Sequence, residues 1–94
     1  MSNTDKNILV LSRRDPLEAM RVAAGLTIFG HAVRLVFMGE VLSEEDMQSE
    51  NAELLDLAGI EPETTNAEMA ELLDHLEPAA LAEAITESDG VISI

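Results

Sequence analysis

The chain has no cysteine, no tryptophan and no tyrosine, and its 94 residues include only two aromatic side chains, Phe29 and Phe37. Without cysteine there are no disulfides, no thiolate metal ligands and no thiol nucleophile. With so few rings the core is expected to be aliphatic, built from Leu, Ile, Val, Met and Ala. No apolar run approaches the roughly 20 residues of a membrane-spanning helix. The start, MSNTDKN, is polar and the run NILVL is too short for a signal peptide, so the expected compartment is the cytoplasm. Glycine-rich phosphate loops of the G-x-G-x-x-G or P-loop kind are missing, as are the spacings of an EF-hand loop and of a G-x-S-x-G elbow. His31 and His75 form no H-x-x-x-H pair and give no expectation of a bound metal. Nothing calls for a cofactor, and an independent enzyme is poorly supported.

Positive charge is the other scarcity, and it is placed unevenly. The net charge is −14. Residues 1–39 hold five basic and three acidic residues (+2), whereas residues 40–94 hold sixteen acids and neither Lys nor Arg (−16). Such a chain should repel nucleic acid and anionic membranes, whose binding depends on Lys and Arg. The acidic half reads as a solvated, solubilising surface, as a docking face for a basic partner, or as adaptation to salt.

Ninety-four residues make one domain, and a chain this short buries only part of its surface, so a second subunit often completes the core. Residues 7–12, NILVLS, are an unalternating apolar run that suits a strand covered on both faces. Asp15-Pro16 then supplies an N-cap and a favoured first helical residue, predicting a helix from 16 to about 29. Its polar strip is narrow, only Glu18, Arg21 and Gly25, so it should be covered on more than one side. One side would meet the sheet. The other would meet a second subunit, with Val22, Leu26 and Phe29 as the interface, or else the chain's own acidic half. Gly30 fits the residue after a helix end, and 32–38 reads as a second strand. Strand, helix and strand with tight links make a βαβ unit with a right-handed crossover. Further on, helices are predicted over 50–58, over 67–76 after an Asn66 cap, and from Pro78. A poor strand, weakened by Pro62, is expected within 60–65. The final VISI is a strand apolar enough to be central or well covered. The expected fold is α/β, a three-layer sandwich of flavodoxin-like topology with a mainly parallel sheet of four or five strands.

In such sheets ligands gather beyond the carboxyl ends of the strands. That edge carries Ser12, Arg13, Arg14, Gly39 and Glu40, of which the two arginines, at a helix N-terminus, are candidates for holding an anion. They also read, more plainly, as surface charges balancing an acidic chain.

Residues 18–40, EAMRVAAGLTIFGHAVRLVFMGE, resemble the opening of DsrE/DsrF-like proteins, where the first helix reads roughly A-x-x-A-x-x-L-x-x-x-G-H-x-V. The matching residues are Ala19, Ala23, Leu26, Gly30, His31 and Val33, followed by Phe37 and Met38. The end, LAEAITESDGVISI, resembles that family's last helix and strand. The resemblance implies a small α/β domain that assembles into dimers, trimers or hexamers of itself or of related subunits, with a link to sulfur relay and to a sulfur-carrier partner. In such complexes some subunits hold a persulfide on a cysteine just after the third strand. Here that position falls at Thr64 and Thr65, and neither can carry sulfur; a threonine hydroxyl is no practical nucleophile without an adjacent base. The resemblance therefore implies a non-transferring subunit, structural or binding, or an accessory that relies on a partner's cysteine.

Overall fold

A computed structural model describes residues 6–38 and 42–94. Five strands, all paired in parallel, form one sheet in the order β4-β3-β2-β1-β5. They are β1 (Asn7–Ser12), β2 (Ala32–Phe37), β3 (Glu63–Thr64), β4 (Asp74–His75) and β5 (Gly90–Ser93). Between them run α1 (Pro16–Ile28), α2 (Glu44–Met47), α3 (Glu50–Ala58), a 3₁₀ turn (Ala67–Met69) and α4 (Pro78–Glu87). The expected parallel α/β sandwich of flavodoxin-like layering is thus the architecture found. Its strand order differs from the 2-1-3-4-5 order of flavodoxin itself.

The layering follows from that order. Each step from β1 to β4 moves one strand in the same direction, so right-handed crossovers put all of those connections on one face. The step from β4 to β5 runs back across the sheet and puts α4 on the opposite face. Side-chain alternation matches. Val10, Leu35 and Phe37 pack with Ala19, Met20 and Ala23 of α1 and Leu55 of α3, while Leu9, Leu11 and Val36 pack with Leu76 and with Ala84 of α4. The first face thus holds the larger core, and the second rests on a single helix.

Local chemistry sets the element ends. The Asp15 carboxylate accepts from the Glu18 N–H at 3.1 Å and starts α1 at Pro16. Ser43 and Ser49 cap α2 and α3 in the same way. Gly59 closes α3 with φ of 76°, a left-handed conformation open to glycine. At the far edge Asp89 and Asn7 exchange two hydrogen bonds of 2.8 Å, tying the start of β5 to the start of β1.

Two elements differ from expectation. The helix predicted over 67–76 is a 3₁₀ turn followed by β4. The spacing of Met69, Leu72, Leu73 and Leu76 is helical, but the Leu76 N–H donates to the Thr64 carbonyl at 2.8 Å and draws the chain into the sheet. Leu72 consequently faces solvent. The closing strand β5 is an edge strand bonded to β1 alone, and Val91 is part-exposed on the thinly covered face. The weak strand does form, as two residues. Pro62 lies just ahead of it, where its missing N–H costs no ladder bond.

On the second face Arg34 forms a fork with Glu63, at 3.1 Å from Nε to Oε2 and 2.8 Å from Nη2 to Oε1. The hydrogen bond to Glu63 raises the Arg34 guanidinium above its ordinary pKa, against a smaller desolvation effect. The Arg34 side chain is still about half exposed, so screening keeps the pair weak. Glu63→Gln is expected to cost less than about 1 kcal/mol in urea unfolding.

Candidate functional site

The carboxyl ends of the strands bring several of the sequence-predicted residues together. Ser12 pairs with Phe37, and Phe37 pairs with Thr64, so the three lie in one row on the α1/α3 face. The Met38 N–H donates to the Ser12 carbonyl at 2.9 Å, and the Thr65 N–H donates to the Phe37 carbonyl at 3.0 Å. Ser12 and Thr64 are both fully buried. The Thr64 hydroxyl accepts from the Asn66 N–H at 3.0 Å, an ST-turn that shapes the loop into the 3₁₀ segment. The Ser12 hydroxyl finds no hydrogen-bond partner among the described residues. Thr65 is half-buried.

Arg13 and Arg14 stand apart from this row. Their N–H groups both donate to the Ile94 carbonyl, at 2.7 and 2.9 Å, so these two backbone donors ahead of α1 are already taken. Their side chains are exposed beside a hollow of about 180 Å³ shared with Ser93 and Ile94. Gly39 and Glu40, the other members of the predicted edge, lie outside the described residues.

The residues predicted for an interface divide in two. Leu26 packs partly against the main core, and Val22 is half-buried on α1. Phe29, by contrast, is 71% exposed, next to Ile28 at 80%. Leu57 on α3 is also exposed.

A cavity of about 410 Å³ was not legible in the sequence. It opens between α1, the α2–α3 segment and the end of β2, within the size range of small-molecule sites. Its apolar walls come from Met20, Phe37, Leu42, Met47, Leu55 and Ile60. The hydrophobic spacing of 50–58 puts Leu54, Leu55 and Ala58 inward, yet of these only Leu55 is buried and Leu54 is exposed, and which inward residues pack tightly and which leave space depends on how α2 and α3 meet α1. Among the described residues no three His, Asp or Glu side chains are placed to hold a metal ion. Nor is any helix among them long and apolar enough to cross a membrane.

Fold and site together define a small cysteine-free α/β protein with a parallel sheet, two buried hydroxyls, Ser12 and Thr64, flanking Phe37 at its strand ends, and an open apolar cavity beside them. No family model, no curated protein and no solved structure matches the chain.

Proposed function

We propose that the chain is a non-catalytic, DsrE/DsrF-like subunit that works by assembling, with copies of itself or with related chains, and that any link to sulfur relay runs through a partner's cysteine. The observation that carries this reading is Thr64. It is one of the two residues, with Thr65, at which the resemblance puts the sulfur-carrying position; it closes β3, fully buried, with its hydroxyl engaged by the Asn66 N–H. A side chain so placed supports the strand end and offers no nucleophile. Assembly is supported by Ile28 and Phe29, two large apolar side chains left in water at the end of α1.

Phe29→Glu tests the assembly. Phe29 is exposed, so the charge should leave the monomer fold intact while disfavouring a buried contact. Sedimentation velocity of the parent chain is expected to show a defined oligomer, and Phe29→Glu a mass of about one chain. A parent that sediments as a monomer, or a variant of unchanged mass, would show this interface to be wrong. Leu26→Glu is the poorer probe, because Leu26 also packs against the core. Affinity capture from the native cell tests the relay link, which requires a cysteine-bearing protein to co-purify.

A second reading, anion binding at Arg13 and Arg14, has one observation in its favour: both side chains edge the hollow beside Ser93 and Ile94. It predicts thermal stabilisation by phosphate or sulfate that is lost in Arg13→Ala.

A further inference from the structure

The cavity between α1 and the α2–α3 segment has apolar walls and an acidic mouth. Met20, Phe37, Leu42, Leu55 and Ile60 are buried and form its depth. Glu53 and Asp56 also line it and are exposed, one turn apart on α3. Among the described residues that line the cavity, no positive side chain answers them. None of the lining residues is Lys, Arg or His, and residues 35–94 contain neither Lys nor Arg. Of the arginines at 13, 14, 21 and 34, Arg21 is paired with Glu18 and Arg34 with Glu63, while Arg13 and Arg14 edge the separate hollow at Ile94. The N-terminus of α3 also lies at the cavity, through Ser49. Ser49 caps it, and Glu50 and Glu53 occupy its first turn, so its dipole is already answered.

We infer that this cavity takes a small aliphatic amine, its alkyl chain against the apolar walls and its ammonium group between Glu53 and Asp56. An anionic amphiphile of the same length would bring its carboxylate to two like charges with no counter-ion, which is unfavourable near a low-dielectric surface. A neutral alkane would fill the walls but leave the mouth unused. The inference is independent of the assembly reading, since it uses neither Phe29 nor Thr64.

The test is a ¹⁵N-observed titration of the full chain at pH 7 with butyl-, hexyl- and octylammonium, and with octanoate. Octylammonium is expected to shift the amides of Ser49, Ala52, Glu53 and Ile60, and affinity should rise about fourfold for each methylene buried. Octanoate should bind at least about tenfold more weakly, the discrimination expected of a charge mismatch. Because the whole chain is acidic, general attraction of cations needs its own control. Glu53→Gln with Asp56→Asn should weaken octylammonium about fivefold or more, while Glu83→Gln with Glu87→Gln on α4, an equal change of charge, should leave it unaltered. Ala52→Phe should block the cavity; if that variant does not fold, the carboxylate pair still decides. The inference is overturned by octanoate binding as well as octylammonium, by equal weakening in the two charge variants, by shifts centred on Ile28 and Phe29, or by no binding.

Discussion

Phe37→Ala is expected to lower the free energy of unfolding by about 3–5 kcal/mol, the usual cost of emptying a phenylalanine site in a packed core. Small domains have roughly 5–15 kcal/mol in total, so the variant should lose a large fraction of its stability and unfold at a clearly lower urea concentration. Phe37 is fully buried at the carboxyl end of β2, a strand paired on both sides. Its register partners are Ser12 on β1 and Thr64 on β3, and its carbonyl takes the Thr65 N–H. Its ring packs in the larger of the two cores, beside residues of α1, α3 and the loop before β3. No second ring is near enough to compensate, because the other aromatic, Phe29, lies in solvent. The existing cavity borders this side chain, so part of the space left by Ala is open to water, and the cost should fall toward the lower end of the range. Leu57→Ala on the exposed side of α3 is the control and should change stability by no more than about 0.5 kcal/mol. Urea denaturation followed by circular dichroism measures both. A Phe37→Ala loss below about 1 kcal/mol would mean that the sheet does not depend on this core.

Much of this architecture was legible in the sequence because local and tertiary signals agree. The run 7–12 is β1, Asp15-Pro16 starts α1, and residues 50–58 are α3, closed by Gly59. Where the signals conflict, the sheet wins. Residues 67–76 have a helical apolar period, but β3 is only two residues long and gains a neighbour only if the chain returns at once to pair with it. The return gives up Leu72 to solvent and gains the Glu63–Asp74 and Thr64–His75 pairs. Outward residues were harder to read for a different reason. Ile28, Phe29 and Leu57 are as apolar as the buried Leu55 and Met20, and periodicity alone does not distinguish a covered face from an open one. The cavity was illegible for the same cause, being a property of three elements meeting rather than of any one stretch. The strand-end site was legible in part: the apolar run 7–12 put Ser12 at the end of β1, whereas the burial of Ser12 and Thr64 required the fold.

That burial leads to the second large effect. Cysteine placed at 64 and at 65 should differ in alkylation rate by on the order of 100-fold or more, with position 65 the faster. Thr64 is 0% exposed, on the covered face beside Phe37, so a thiol there meets reagent only when the strand end opens. Such an opening costs about 3 kcal/mol or more in a packed sheet, and each 1.4 kcal/mol slows reaction about tenfold. Apolar surroundings also raise a thiol's pKa and reduce the thiolate available to react. The side chain of Thr65, one residue on, is half-buried at the start of the loop, and its N–H remains bonded to Phe37 whatever the side chain. Thr64→Cys should also be the less stable variant, since sulfur is a weak acceptor for the Asn66 N–H. Iodoacetamide labelling followed by mass spectrometry separates the two. If Thr64→Cys labels as fast as Thr65→Cys in the folded chain, the strand end is open, and the case that residue 64 only supports the fold is lost. If only Thr65→Cys labels quickly, a thiol in this chain could carry sulfur at the loop and not at the strand, and the parent chain lacks it at both.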